Sequence, residues 1–188
     1  RYAKYIMDKG CDVVIACSGE IATLLRHITG VKAVVQHEAV FGIVHDYWTP
    51  SMSTVIPLEL EYEDIDGAPY INIPEVKPHS GLRIGIRWQG NPAFEHEQHR
   101  IFPPNLLFDA LKGIDAEFIS LQRDQGMEHC PSWAKQVPLD AWEDTKAAIA
   151  SCDLVISSCT SVAHLSGAMG VPTWIMVPIL PYYLWAKE

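Results

Sequence analysis

Apolar residues along the chain fall into short runs that alternate with amphipathic stretches, the pattern of strands that alternate with helices. The opening segment RYAKYIMDKG has apolar residues at helical spacing and predicts a helix that stops at Gly10. A strand (DVVIAC), a helix ending near Gly30 (GEIATLLRHITG) and a strand (VKAVVQ) are predicted next. This order favours a parallel sheet that lacks its opening strand.

The same alternation starts again in the second half of the chain. Residues 46–80 are rich in proline, glycine and acidic side chains and predict a surface connection, so we place a domain boundary near residues 77–81. The expected domains are 1–76 and 77–188. In the second domain we predict the strands LRIGIRW, AEFISL, DLVIS and TWIMV, and between them the helices PPNLLFDALKG, TKAAIAS (capped by Asp144) and SVAHLSGAMG. The fold class is therefore α/β, with parallel sheets covered on both faces.

Composition narrows the range of functions. The 188 residues carry 23 acidic and 14 basic side chains, a formal net charge of −9, and no cluster of lysine or arginine. A nucleic-acid surface needs concentrated positive charge and is not expected. No apolar run reaches the roughly 20 residues of a membrane span, and no signal peptide is seen. Five cysteines without a C-x-x-C pair favour reduced thiols and a cytoplasmic location.

Two loops are candidate ligand sites, because ligands of such sheets bind beyond the carboxyl ends of the strands. After DLVIS, residues 160–163 offer backbone N–H groups at a helix N-terminus, where an anion is stabilised. After RIGI, Gly90 and Asn91 permit a tight turn, and Arg100 could pair with phosphate oxygens. Plain capping and a solvated surface arginine are the alternative interpretations. Neither loop has the glycine pattern of a dinucleotide-binding fold or an NTPase.

An ordered set of motifs carries a resemblance to a known family. The motifs are LRIGIRWQGNP, the arginine at 100 before an apolar–proline helix start, FISLQ, DTKAAIASCDLVISSCTSVAHLSGAMGVPTWIMVP and YYLW. In this order they resemble the C-terminal half of bacterial GT-B glycosyltransferase-like proteins. Those proteins often follow tetratricopeptide repeats and are related to heptosyltransferases and, distantly, to O-linked N-acetylglucosamine transferases. The likeness covers most of residues 81–188 and continues more weakly towards residue 1.

The resemblance implies a GT-B fold of two Rossmann-like, doubly wound domains, the first incomplete. It also implies that a nucleotide sugar, usually a UDP-type donor, binds with no metal or other cofactor. Arg100 and His164 are then the candidate catalytic residues, although a packed core histidine is an equal interpretation of His164. The residues that would contact or surround the donor are Gly90, Asn91 and Pro92 (diphosphate), Gln122 and Arg123 (nucleoside), Asp144 and Thr145 (the other wall), and Cys159, Thr160, Ser161, Val162 and Ala163 (the helix start).

The chain departs from the family pattern in three places. Many relatives have aspartate where Cys159 stands and arginine where Leu184 stands. A strand and a glycine-rich loop like GLGD normally precede the RY motif and often supply the catalytic base, and here they are absent. We therefore expect a fragment of a longer protein that could also carry helical repeats upstream.

The expected activity is inverting, metal-independent transfer of a sugar to a hydroxyl of a protein, a lipid-linked saccharide or a glycan. The alternatives are a non-catalytic nucleotide-sugar-binding or scaffold module and a sugar-nucleotide epimerase of the same fold.

Three other sequence motifs are not interpreted as functional sites. The segment EHEQH (residues 95–99) lacks metal-site spacing, DID (residues 64–66) indicates an acidic turn, and Cys159 has no histidine–acid set that would make it a nucleophile.

Overall fold

The computed structural model describes residues 1–93, 99, 101–123 and 125–178. The chain divides into two compact units, Arg1–Asn72 and Ile73–Glu188. The division lies within the connection that is rich in proline and acidic residues. Both units alternate helices with parallel strands, so the predicted α/β class is confirmed. Among the described residues, no helix has the length and apolar character needed to cross a membrane.

The first unit contains a two-stranded parallel sheet. Its elements are α1 (Tyr2–Asp8), β1 (Val14–Cys17), α2 (Gly19–Leu25), β2 (Ala33–Gln36) and the short α3 (Val55–Leu58), with 3-10 turns at His37–Gly42, Ser51–Ser53 and Tyr62–Asp64. The predicted extent of α2 was wrong, because the helix ends at Leu25 and not near Gly30. The N–H groups of His27 and Ile28 bond to carbonyls three residues back, at 3.2 and 3.1 Å, and this tightens the chain into a turn.

The second unit contains a five-stranded, all-parallel sheet. Its elements are β3 (Arg83–Arg87), α4 (Pro104–Leu111), β4 (Glu117–Ser120), β5 (Lys135–Gln136), α5 (Trp142–Ala150), β6 (Leu154–Ser158), α6 (Ser161–Met169) and β7 (Thr173–Met176), with a 3-10 turn at Met127–His129. The strand order is β5-β4-β3-β6-β7. The edge strand β5 was not predicted, because its two exposed residues carry no apolar signal.

Apolar side chains cover both faces of this sheet. On one face the strand residues Ile84, Ile86 and Ile156 pack in a buried cluster with Leu107 and Leu111 of α4. The opposite face packs tightly near α5, since a Cβ on Gly85 would lie 2.7 Å from the Leu121 side chain and 3.1 Å from Cys152 Sγ. Helix α5 also packs against α6. Burial on both faces explains why β3 and β6 read as nearly continuous apolar runs.

Charged side chains join the strands at the amino edge of the sheet. Glu117, the first residue of β4, accepts hydrogen bonds from Arg83 Nε at 2.7 Å and from Lys135 Nζ at 3.0 Å. Asp153, just before β6, accepts a hydrogen bond from the Arg83 N–H at 2.8 Å. The loops that follow the strands therefore lie at the other edge, away from this network.

Candidate functional site

The strand order reverses direction between β3 and β6. Chain order runs outward from β3 through β4 to β5 on one side, and from β6 to β7 on the other. In open parallel sheets this reversal separates the two loops at the carboxyl ends and leaves a crevice, which is where ligands bind. The two loops at this point, which follow β3 and β6, are the two that the sequence selects. The reversal itself could not be deduced from the sequence.

The loop after β6 delivers the N-terminus of α6 to this crevice. Thr160 is the N-cap residue, with extended backbone, but its side chain does not cap the helix. Its hydroxyl instead lies 3.2 Å from Ser157 Oγ, and the Ser157 hydroxyl donates to the Ser158 carbonyl at 2.7 Å. Since the first N–H groups of a helix have no intrahelical acceptor, those of Ser161 and Val162 remain for a ligand.

The side chains of this helix start differ in exposure. Ser161 is exposed, whereas Cys159, Val162 and Ala163 are buried, so the last three can offer a ligand only backbone atoms. The Ala163 N–H already donates to the Thr160 carbonyl at 3.0 Å. The predicted helix start is thus present, with its small residues packed inward and Ser161 facing outward.

His164 is three residues after Ser161 and shares its outward-facing side of α6. The residue is half-buried, and this burial lowers the pKa of the imidazole below its ordinary value of 6.5. The neutral form therefore dominates at pH 7. A neutral imidazole can accept or donate a hydrogen bond near an anion, but it adds no positive charge.

The loop after β3 is held in place by the side-chain amide of Gln122. Its Oε1 accepts hydrogen bonds from the Trp88 N–H (3.3 Å) and the Gln89 N–H (3.0 Å). Its Nε2 donates to the carbonyls of Gln89 (3.1 Å) and Gln125 (2.7 Å). These four contacts use the two donors and two acceptor lone pairs of the amide. Gln122 thus acts on the loop from below, with its side chain 2% exposed.

The exposed tip of this loop lies at Asn91 and Pro92, directly after the buried Gly90. The Asn91 side chain accepts a hydrogen bond from the Ala93 N–H at 2.9 Å, which makes a local turn. Arg123, predicted to lie near a nucleoside, is exposed just after Gln122. The tip and Arg123 therefore follow neighbouring strands, β3 and β4, at the same edge of the sheet.

The predicted capping role of Asp144 was wrong. Helix α5 begins at Trp142 with Ala141 as its N-cap, and Asp144 is its third residue. From there the carboxylate reaches back and accepts a hydrogen bond from the Ala141 N–H at 2.8 Å, which is the reciprocal half of a capping box. The hydroxyl of the buried Thr145 donates to the Ala141 carbonyl at 3.4 Å. Both side chains thus organise the start of α5 at the carboxyl edge.

The structure reveals polar residues at this edge that the sequence analysis missed. Arg87 ends β3 beside Ser157 of β6 and donates to the Leu121 carbonyl at 2.9 Å. The Ser158 hydroxyl is buried and has no hydrogen-bond partner among the described residues. Lys146 of α5 is almost fully buried. Of these three residues, only Lys146 could have been noticed in the sequence, as a lysine inside the apolar segment TKAAIA.

Several sequence expectations fall outside the described residues. These are Arg100, Leu184 and most of EHEQH, of which only His99 is described, in an exposed position. Within the described part of the chain, no group of three or more His, Cys, Asp or Glu side chains could hold a metal ion. The DID segment is an acidic turn, as predicted, since Asp64 and Asp66 accept hydrogen bonds from the N–H groups of Glu61 and Ala68.

Comparison with solved structures finds a likeness to a glycosyltransferase. The chain superposes with a TM-score of 0.64 on the dodecameric iron-containing heptosyltransferase TibC in complex with ADP-D-beta-D-heptose, at 14% identity over 93% of this chain and 52% of TibC. A second structure, of TibC from enterotoxigenic E. coli, gives a TM-score of 0.59 at the same identity and coverage. The chain thus has a GT-B-like α/β fold and spans about half the length of TibC. No family model matches the sequence, and no curated protein matches it.

Proposed function

We propose that the second unit binds a nucleoside diphosphate sugar at the crevice between the loops after β3 and β6. The observation that carries the proposal is the start of α6 at the reversal of strand order, with the hydroxyl of its N-cap Thr160 turned away towards Ser157. The free N–H groups and the helix dipole favour a diphosphate there. The sugar-nucleotide in the TibC complex and the likeness of fold support this class of ligand.

In the proposed reaction, the chain acts as an inverting, metal-independent glycosyltransferase. An acceptor hydroxyl loses its proton to a base and attacks the anomeric carbon from the side opposite the diphosphate. The bond from this carbon to the phosphate oxygen breaks, and the diphosphate leaves with the electron pair. Backbone N–H groups of α6 would stabilise the charge on the leaving group, as electrostatic stabilisation requires. Residues 1–76 would form the acceptor side and residues 77–188 the donor side.

The N–H group of Ser161 provides a direct test of this site. Proline is well tolerated at the first position of a helix, so Ser161→Pro removes one N–H without breaking α6. Ser161→Ala is the matched control, because it removes the hydroxyl and keeps the N–H. We expect calorimetric titration with UDP and ADP, in the presence of chelator, to show saturable binding to the wild type. Binding to Ser161→Pro should be weaker by about 1.5–3 kcal/mol, the usual contribution of a charged hydrogen bond.

Two nucleobases, uracil and adenine, are compatible with these observations. The family resemblance implies UDP, whereas TibC holds an ADP-linked heptose, so both diphosphates are titrated. Equal affinity of Ser161→Pro and the wild type would contradict the placement of the diphosphate at α6. Transfer of a labelled sugar from the donor that binds, or its conversion without an acceptor, then separates a transferase from an epimerase, and binding without turnover indicates a scaffold module.

A further inference from the structure

Lys146 is a charged side chain in an unusual environment. It lies one turn into α5, its side chain is 4% exposed, and its Nζ lies 3.7 Å from Glu143 Oε2. That separation is beyond hydrogen-bond range, so the contact is an ion pair without a hydrogen bond. A buried ammonium is costly unless it is both paired and hydrogen-bonded. The Glu143 side chain is 40% exposed and therefore compensates this charge only weakly.

The direction of the Lys146 side chain follows from the helix. Side chains of a helix lean towards its N-terminus, and the contact with Glu143 places the ammonium beside the first turn of α5. Because α5 runs back along a parallel sheet, its first turn lies at the carboxyl edge. Helix α6 starts at this edge too, and the two helices pack against each other. The charge of Lys146 is thus directed to the edge that carries the free N–H groups of α6.

We propose that Lys146 is a binding residue for the diphosphate, with Glu143 holding its ammonium in place until the ligand arrives. This inference rests on the proposed function of the site. The diphosphate would supply the hydrogen-bond acceptors that Lys146 lacks in its contact with Glu143. The arrangement also gives a leaving diphosphate a cation on the α5 side of the crevice. Lys146 and Glu143 therefore have opposite effects on diphosphate affinity.

Two variants and a matched control test the assignment. Lys146→Met removes the charge but fills the same volume, and it should fold at least as well as the wild type, because it removes a buried ammonium and leaves the Glu143 carboxylate, whose side chain is 40% exposed, in contact with water. Glu143→Gln changes a half-exposed side chain and removes the competing carboxylate. Lys135→Met is the control, since Lys135 binds Glu117 at the amino edge of the same sheet. The probes are UDP, ADP, uridine, adenosine and inorganic pyrophosphate, titrated calorimetrically.

We expect Lys146→Met to bind the nucleoside diphosphates roughly ten- to a hundredfold more weakly, with less than about a twofold change for the nucleosides. Glu143→Gln should bind the diphosphates more tightly than the wild type, and Lys135→Met should match the wild type. Unchanged diphosphate binding in Lys146→Met, or loss of that binding in Glu143→Gln, would overturn the inference and leave the proposed function standing. If Lys146→Met does not fold, the inference is judged by whether Glu143→Gln binds the diphosphates more tightly or more weakly than the wild type.

Inorganic pyrophosphate separates this inference from the proposed function. Pyrophosphate binding that depends on Lys146, without binding of either nucleotide, would support Lys146 as an anion-binding residue and refute a nucleotide donor. If the wild type binds neither the nucleotides nor pyrophosphate, both the proposed function and the role of Lys146 are refuted.

Discussion

Replacement of Gln122 by methionine should destabilise the second unit without opening a cavity, since methionine has nearly the same shape. The variant would leave two backbone N–H groups and two backbone carbonyls without the amide, at contacts that now measure 2.7–3.3 Å. Each buried hydrogen bond contributes a net 0.5–1.5 kcal/mol or so, and neighbouring bonds are not additive. We therefore expect a loss of about 2–4 kcal/mol in the free energy of unfolding, measured in urea.

Gln136→Met is the matched control for this experiment. Gln136 is exposed on the edge strand β5, where such a substitution should change stability by less than about 0.5 kcal/mol. For a chain of this size, the expected loss in Gln122→Met corresponds to a fall of roughly 4–16 °C in the melting temperature. If Gln122→Met proves as stable as Gln136→Met, the amide does not hold the loop after β3, and its four contacts contribute little to stability.

Two further predictions concern titration. Burial lowers the pKa of His164, so the folded protein binds a proton at this imidazole less readily than the unfolded chain does. The contribution of His164 to stability is therefore fully present above pH 6.5 and is lost as the pH falls through the lower pKa of the folded state. NMR titration should find this low pKa, UDP should raise it, and His164→Gln should remove this part of the acid loss. Hydrogen bonds from Lys135 and then Arg83 lower the pKa of Glu117, so its contribution to stability is present above the ordinary carboxyl value of 4.5 and is lost below it. Urea unfolding between about pH 6 and pH 3 should show that the free energy of unfolding declines less steeply for Glu117→Gln than for the wild type. Parallel curves for the two proteins would contradict the assigned role.

Element order could be predicted from the sequence because each long strand of the second unit is a buried apolar run between turn residues. The predictions fail where individual hydrogen bonds determine where an element begins or ends. Helix α2 tightens into a turn after Leu25, and α5 begins before Asp144 because that carboxylate bonds backwards to Ala141. The strand β5 exists only because its two residues pair with β4, so no local pattern could reveal it.

The candidate site was predictable only in part, because contacts between strands that are distant in the sequence leave no local pattern. Which loops follow strands can be read along the chain, and this places Asn91 and Ser161 at the carboxyl edge. Which strands are neighbours cannot be read in this way. The pairing of β3 with β4 is what brings the Gln122 amide to the backbone of Trp88, and Lys146 becomes almost fully buried only in the folded chain. Residues that act through such neighbours look ordinary in the sequence.

The hydrogen bonds at the carboxyl edge also determine what kind of ligand group suits it. The Gln122 amide is fully used by the loops after β3 and β4, and the hydroxyls of Ser157 and Thr160 contact each other. A neutral group such as a sugar hydroxyl could accept from the first N–H groups of α6 but would gain nothing from a positive charge. In the proposed arrangement an anion accepts from the same N–H groups and also pairs with Lys146, and none of the bonds that hold the loops need be lost. Because the chain as a whole carries a net charge of −9, long-range attraction cannot gather an anion, so the proposed recognition would depend on these few donors held in place.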